Sequence, residues 1–248
     1  MIRFEYKYLA PVELIERLRL EIMPYVNYDE YANASKIGEY TVRSIYFDND
    51  RFQYYNDKVD GLEIRKKVRV RGYGAKDESS IVFLEVKRKK GVYILKSRAP
   101  LTFENLEKIF VCKDFERYIL NKPIENAVES AKNFFYYVNV DNLKPVILVV
   151  YEREAYQGKF DNSLRITFDK NLRASLSSRL TDLFDELNMR YVMKSYFTVE
   201  FKGKTKIPHW FRNIVAKYEL KFMALSKYVL SVDAFDFSEL KQITRLGL

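Results

Sequence analysis

The chain contains one cysteine, one histidine and one tryptophan among 248 residues, with only 8 glycines and 6 prolines. The lone Cys112 cannot close an internal disulfide, which excludes a small bridged domain. One cysteine and one histidine, His209, cannot build a Cys/His zinc site, so any metal must be held by carboxylates and ligand oxygens. Scarce glycine and proline, together with 48% hydrophobic and 16% aromatic residues, exclude disordered, collagen-like and low-complexity chains. The longest strongly apolar run, Val146 to Val150 with Tyr151 after it, is far too short to cross a bilayer. The N-terminus is charged from Arg3 onward and does not read as a signal peptide. These absences predict a soluble, cytoplasmic protein.

What the sequence does hold is cationic and aromatic. Lys and Arg number 43 against 34 Asp and Glu, a formal net charge of +9, with 20 Tyr and 18 Phe. Such an excess in one folded chain predicts an anionic partner: nucleic acid, a membrane surface or a phosphorylated small molecule. The placement of the cations decides between them.

Period-two alternation rich in β-branched and aromatic residues predicts strands near 3–8, 41–48, 63–73, 80–89, 92–98, 146–154, 163–169 and 194–202. Helical patterns lie between them. Pro11 opens the first, in which Val12, Ile15, Leu18 and Ile22 form an apolar stripe ending at Pro24. Thr102 is placed to cap a second, and others are expected near 124–137, 175–187, 208–217 and from about 223. The turn from Gly74 to Ser80 and the Asp161-Asn162-Ser163 turn suit hairpins. No linker, repeat or biased segment divides the chain, so residues 1–248 read as a single α+β domain built on antiparallel strands.

The strand faces have unusual content. Arg65, Lys67, Arg69 and Arg71 share one face of their strand, opposite Val68 and Val70. Glu85, Lys87 and Lys89 share another, and Lys96 goes with Arg98. The first strand puts Glu5 and Lys7 together, and a late one puts Glu200 with Lys202. Arg153 and Arg165 complete the set. Eleven cations (Lys7, Arg65, Lys67, Arg69, Arg71, Lys87, Lys96, Arg98, Arg153, Arg165, Lys202) face three carboxylates (Glu5, Glu85, Glu200). A solvated antiparallel face is the ordinary reading of any one such strand. For the set it is weak, because same-face cations on neighbouring strands repel each other. The alternative is a closed antiparallel barrel of about eight strands, wide enough for one small ligand. Its charged faces would line a tunnel and helices would cover the outside. A polyphosphate suits that interior, since arginine forks bind phosphate oxygens at two points.

These residues resemble a known superfamily. Glu5-Tyr6-Lys7, Ser44-Ile45-Tyr46-Phe47-Asp48-Asn49 with Tyr54-Tyr55, Lys67-Val68-Arg69-Val70-Arg71, Phe83-Leu84-Glu85-Val86-Lys87 and Val199-Glu200-Phe201-Lys202 resemble the triphosphate tunnel metalloenzymes. Arg71-Gly72-Tyr73, Lys96-Ser97-Arg98, the Tyr151-to-Tyr156 run, Arg165-Ile166-Thr167-Phe168-Asp169 and Leu225-Ser226-Lys227-Tyr228 favour the VTC domain within that superfamily. Arg3 stands where the superfamily pattern begins with an acid, which argues against its thiamine-triphosphatase and class IV cyclase branch. A basic residue often found shortly before the late Ser-Lys is absent from Met223-Ala224-Leu225.

The resemblance implies a tunnel that binds ATP and polyphosphate with Mg²⁺ or Mn²⁺ and moves the γ-phosphate of ATP onto a growing chain. It implies phosphate contacts from Lys7, Arg69, Arg71, Lys87, Lys96, Arg153 and Arg165, with Arg65, Lys67, Arg98 and Lys202 on the same surface. Glu200 would hold the metal, with Glu85 and Glu5 as further candidates, and Lys227 would sit near a tunnel mouth. A separate membrane-protein partner would then take up the product, and no nucleic acid is expected. Hydrolysis of a triphosphate in the same site, or polyanion binding without turnover, are the rival readings. His209 reads as a helix residue beside Trp210, Cys112 as a small core residue, and the Tyr46, Tyr54 and Tyr55 rings as packing.

Overall fold

Our computed structural model of the chain describes residues 4–35, 37–77, 79–121, 123–204 and 206–246, so Arg3 lies outside the described residues. In chain order the strands are β1 (Phe4–Pro11), β2 (Val26–Tyr28), β3 (Tyr40–Asp48), β4 (Ile64–Tyr73), β5 (Ile81–Lys90), β6 (Tyr93–Thr102), β7 (Lys144–Gly158), β8 (Arg165–Leu176), β9 (Arg190–Tyr191), β10 (Tyr196–Gly203) and β11 (Lys221–Phe222). The helices are α1 (Ile15–Ile22), α2 (Glu30–Ala34), α3 (Gln53–Val59), α4 (Leu106–Cys112), α5 (Phe115–Tyr118), α6 (Ala127–Val140), α7 (His209–Lys217), α8 (Lys227–Val232) and α9 (Phe237–Leu246). No helix of the described residues is long and apolar enough to cross a membrane.

The strands pair antiparallel in the order β11-β1-β10-β8-β7-β3-β4-β5-β6, with β2 on β7 and β9 on β8. This corrects the expected closed barrel of about eight strands: the 11-stranded sheet is open, its hydrogen-bonded path ending at β11 and β6. Alternation determines which face of a strand is charged, but it carries no information about whether two distant edges meet. The edges are blunted by other means. β11 has two residues, and β6 carries Lys96 and Arg98.

Two compact units divide the chain. The first comprises Met1–Thr41, Tyr151–Leu172 and Tyr191–Ser226. Its core gathers the inward residues of β1, β8 and β10 (Tyr8, Ile166, Phe168, Phe197, Val199, Phe201) against Leu18 and Ile22 of α1 and Phe211 and Ile214 of α7. Phe201 and Phe211 lie 4.8 Å apart, and each such ring fully buried stabilises the unit by roughly 1.5–3 kcal/mol. The expected stripe of α1 narrows to Leu18 and Ile22, because Pro11 leads into a 3₁₀ turn, Val12–Leu14, before the α-helix starts.

The second unit comprises Val42–Val150, Arg173–Arg190 and Lys227–Leu248. Here β4, β5 and β6 form a meander whose apolar face (Val68, Val70, Val82, Leu84, Val86, Ala99, Leu101) packs on α4 and α6 through Leu106, Ile109, Ala131 and Phe134. In Arg71-Gly72-Tyr73 the glycine is required by close approach: a Cβ there would stand 2.9 Å from the Phe184 ring.

Three local expectations change. The segment 175–187 is not an α-helix: β8 continues to Leu176, and only a 3₁₀ turn, Leu180–Phe184, follows. Thr102 makes no cap bond to backbone; its Oγ1 instead accepts from Asn105 Nδ2 at 2.8 Å. Cys112 is exposed at the end of α4 rather than in the core. α3 leaves no signal in the periodicity because its start depends on a residue outside it. The Asp48 carboxylate accepts from the backbone N–H groups of Tyr54 and Tyr55, both at 3.0 Å, satisfying donors the helix cannot.

Candidate functional site

The charged strand faces predicted from alternation form one cluster in each unit. In the second unit, register places Tyr46, Arg69, Glu85 and Arg98 in one row across β3, β4, β5 and β6. Glu85 Oε2 takes Arg69 Nε at 2.7 Å and Nη2 at 2.6 Å, and Glu85 Oε1 lies 3.1 Å from Arg98 Nε. Arg71, in the next row, donates from Nε to Ser44 Oγ at 3.0 Å and stands 3.9 Å from Glu85. Burial pushes the Glu85 carboxyl up, but Arg69, Arg71 and Arg98 outweigh it and hold the group at about 2. One carboxylate thus serves three guanidinium groups.

The opposing side of Arg69 is held by Tyr46, whose hydroxyl accepts from Nη1 at 2.9 Å. Burial raises the Tyr46 phenol, yet Arg69, Lys67 and Arg71 pull it down to about 7. Its ring stacks on Tyr228 of α8, 4.9 Å between centroids, and Tyr228 donates to Asp48 Oδ2 at 2.5 Å. That bond anchors α8, whose first residue is Lys227. Arg98 places its Cζ over the Phe83 ring, 3.4 Å from the centroid, and donates to the Tyr73 hydroxyl at 3.1 Å.

On the other side of the Arg69 row, register brings like charges together. Lys67, Lys87 and Lys96 stand directly opposite one another on β4, β5 and β6, and Arg65 pairs in register with Lys89 beyond them. Like charges at directly opposed positions destabilise a sheet.

The first unit holds a mixed cluster. Lys7 lies opposite Glu200, and Glu5 opposite Lys202. The Lys7 ammonium is 3.2 Å from Glu5 and 3.7 Å from Glu200, and it donates to the Leu225 carbonyl at 3.2 Å. Burial alone would lower its pKa; Glu200 and Glu5 outweigh that and raise it. Lys202 Nζ is 3.1 Å from Glu200 and is drawn down to about 8, chiefly by burial. Arg153 binds Asp169 in two-point fashion, Nε to Oδ1 at 2.6 Å and Nη2 to Oδ2 at 2.8 Å, with Glu200 3.9 Å from Nη2. Arg165 stands opposite Lys202 but turns its Nη2 to Asp29 at 2.7 Å and to the Tyr40 hydroxyl at 3.2 Å.

Several buried donors in these clusters lack a hydrogen-bond acceptor. Arg98 Nε contacts Glu85 but points out of line with it, and Arg165 Nε has none; the hydroxyls of Thr167 and Thr198, opposite Glu200 and Asp169 in register, are also unpaired. Buried polar groups left so are rare and costly.

Each candidate metal carboxylate already faces cations. Glu85 has both oxygens against arginines, and Glu200 has Oε1 3.7 Å from Lys7 and Oε2 3.1 Å from Lys202. Glu5 and Glu200 converge on one ammonium, the arrangement a small divalent cation needs when phosphates supply its other ligands. Among the described residues no group of three or more His, Cys, Asp or Glu stands ready to hold a metal.

The fifteen positions singled out from sequence therefore divide between the units. Glu5, Lys7, Arg153, Glu200 and Lys202 meet in the first, with Arg165 in the neighbouring row. Arg65, Lys67, Arg69, Arg71, Glu85, Lys87, Lys96 and Arg98 line the second, and Lys227 begins α8. Sequence reasoning missed the supporting groups Tyr46, Asp48, Asp169, Tyr228 and Asp29. For Asp169 a signal existed, since it shares the period-two face of Arg165 and Thr167. For Asp29, held by a contact distant in sequence, none did; Tyr228 stands in the Leu225-to-Tyr228 run that carries the resemblance, but nothing in the sequence shows its bond to Asp48.

The charged face of this open antiparallel sheet carries clustered arginines, one lysine row and few carboxylates. The profile of the VTC domain matches residues 2–235, and the chain belongs to that family. It is 28% identical over 227 residues to the vacuolar transporter chaperone complex subunit 4 of Schizosaccharomyces pombe, a match covering 77% of this chain and 31% of that protein. It is also 28% identical over 160 residues to subunit 2 of the vacuolar transporter chaperone complex in Saccharomyces cerevisiae, covering 58% of this chain and 19% of that one. The chain thus spans about a third or less of these relatives' length. A solved Pyrococcus horikoshii protein aligns over 94% of this chain and 100% of its own, at 12% identity and a TM-score of 0.47.

Proposed function

We propose that this chain is a polyphosphate polymerase, transferring the γ-phosphate of ATP to the end of an inorganic polyphosphate chain. The observation that carries the proposal is the row Lys67, Lys87, Lys96: three cations facing each other in register, beside the Arg69–Glu85–Arg98 row. A multiply charged anion lying along that row would meet all three ammonium groups.

Phosphoryl transfer asks little covalent chemistry of a protein; positioning and charge stabilisation do most of the catalysis. A terminal phosphate oxygen of the chain attacks the γ-phosphorus, the bond to the β–γ bridging oxygen breaks, and ADP leaves with the electron pair. The attacking oxygen is already ionised, so no general base is required. Arg69 and Arg71 are assigned to phosphate oxygens, their guanidinium planes fixed by Tyr46, Glu85 and Ser44. Lys87, Lys67, Lys96, Arg65 and Arg98 extend that surface along the chain. In the first unit Arg153, Arg165, Lys7 and Lys202 are the phosphate contacts. Glu200 and Glu5 would hold Mn²⁺ or Mg²⁺, which when bound neutralises phosphate charge and fixes oxygen geometry. Lys227 is assigned to the acceptor chain. We place the reaction in the cytoplasm, where ATP is supplied, and expect partner subunits, as the relatives belong to a complex.

Incubation with γ-labelled ATP and Mn²⁺, followed by gel separation, tests the reading. A ladder of labelled polymer is expected. Label appearing only as orthophosphate, at any concentration of short-chain primer, replaces the polymerase with a triphosphatase.

A further inference from the structure

The β5–β6 hairpin ends in a feature the phosphate chemistry does not use. Val92 is 75% exposed, Tyr93 73% and Leu95 67%, three large apolar side chains at one tip. The turn is tight: Lys90 pairs directly with Tyr93, and Gly91 takes φ +56°, a conformation that favours glycine. Its backbone N–H is held by the Glu63 carbonyl at 3.2 Å, so the tip is a fixed projection. It lies on β6, which ends the hydrogen-bonded path of the sheet.

Register shows what accompanies these residues. Ile64, Lys90 and Tyr93 form one cross-strand row, and Lys66, Arg88 and Leu95 the next on the same face. Arg88 and Lys90 are both exposed. This face continues the one that packs the core at Val68 and Val86: Lys66 and Arg88 still lie over the Tyr137 ring of α6, at 4.7 and 5.7 Å, and the Ile64–Lys90–Tyr93 row comes after them. Lysine interleaved with exposed apolar residues is unlike the centre of a protein–protein interface, from which lysine is depleted. It matches the pattern of a bilayer interface, where aromatic and aliphatic groups enter the headgroup–acyl boundary and long cationic side chains reach back to anionic headgroups.

We propose that this hairpin tip is a docking surface for an anionic lipid bilayer, with Val92, Tyr93 and Leu95 entering the interface and Arg88 and Lys90 contacting acidic headgroups. The chain's net charge of +9 would draw it to any anionic surface, so the apolar contribution must be separated from that background. The test is co-sedimentation of the intact chain with phosphatidylcholine vesicles containing about one quarter phosphatidylserine, against phosphatidylcholine alone. Binding is expected only to the anionic vesicles. The triple variant Val92→Ser, Tyr93→Ser, Leu95→Ser should bind at least about tenfold more weakly at an unchanged melting temperature, because the removed groups are exposed. Arg88→Gln with Lys90→Gln should cost about fivefold per cation and flatten the dependence of binding on salt.

A single Tyr93→Trp variant reads the location directly and leaves the fold undisturbed. The emission of the introduced indole should shift to the blue with anionic vesicles and be quenched by lipids brominated near the headgroup. Three results overturn the proposal: no sedimentation with anionic vesicles, equal sedimentation of the triple variant, or an emission from Tyr93→Trp that vesicles leave unshifted. A concentration-dependent dimer in light scattering that the triple substitution abolishes, without vesicle binding, would overturn it as well and assign the tip to a second copy of the chain.

Discussion

Replacing Glu85 by glutamine removes the carboxylate that the structure places among Arg69, Arg71 and Arg98. Its carboxyl is held at about 2, against an ordinary 4.5, because the three guanidinium groups outweigh the cost of burial. A depressed carboxylate contributes stability that is fully present above the unfolded value and is lost as pH falls through the folded one. At about 1.4 kcal/mol per unit, the charge contributes ~3 kcal/mol at neutral pH. The side chain is 15% exposed, so solvent screening discounts this little. For a chain of this size the loss translates to a fall of roughly 10 °C in melting temperature.

The proposed function adds a second consequence. Three guanidinium groups without that carboxylate form a stronger anion site than the same three around it, so tripolyphosphate should restore more stability to Glu85→Gln than to the wild type. At a hundredfold excess over Kd the ligand's contribution alone is about 2.7 kcal/mol, close to the whole deficit. Thermal melts of both proteins at pH 7, 4 and 3, with and without tripolyphosphate, check both. The gap should be full at pH 7 and shrink from about pH 4.5 toward 2. A gap indifferent to pH would show that Glu85 matters as packing volume, and a gap indifferent to tripolyphosphate would show that the arginines are structural.

Arg69→Ala and Arg71→Ala should each abolish polymer synthesis and weaken triphosphate binding by a charge-assisted contact worth roughly 1.5–3 kcal/mol, measured by labelled-ATP turnover and calorimetry. Glu200→Gln should lose activity at ordinary Mn²⁺ and regain part of it at high Mn²⁺; an unchanged metal titration would move the role to Glu85 or Glu5. Lys202 is drawn down to about 8 in the free protein, and a bound phosphate favours its charged form, so triphosphate binding near pH 8 should take up protons. Calorimetry in buffers of different ionisation enthalpy reads that uptake, and its persistence in Lys202→Met would refute the assignment. Lys227→Ala should lower chain synthesis more than ATP binding, and equal loss of both would place it at the nucleotide instead.

The strand faces were legible in the sequence because a period of two leaves no freedom: if Val68 and Val70 are buried, Arg69 and Arg71 must point the other way. The resemblance added order and family. Closure of the sheet was not legible, since it depends on edges far apart in sequence, and the step from cation repulsion to a barrel leaves out internal counter-ions. In the sequence Glu85 is a minority charge, whereas register sets it between Arg69 and Arg98 and so neutralises a row that looks untenable without it. Asp169 does the same for Arg153. The segment 175–187 misleads for a related reason, because Leu176 and Leu183 suit a helical stripe as well as a strand end and a turn. α3 is hidden because Asp48, its cap, belongs to a strand.

Those internal counter-ions bear on which anion the clusters accept. A phosphate that binds Arg69 must compete with Glu85, whose two contacts at 2.6 and 2.7 Å are already formed in the fold. An isolated orthophosphate gains little by the exchange, because it trades one charge-assisted contact for another of similar strength. A polyphosphate differs in that its first contact need not displace Glu85 at all. Lys67, Lys87 and Lys96 face one another in register, so a chain engaging this row first holds its remaining phosphates near Arg69, Arg71 and Arg98 at high effective concentration. On the proposed function, an arginine row shared with Glu85 beside a lysine row should select for length: affinity, read by calorimetry across a series of chain lengths, should climb steeply from orthophosphate to tripolyphosphate and then level off once both rows are spanned. Equal affinity for orthophosphate and tripolyphosphate would refute this coupling of the two rows.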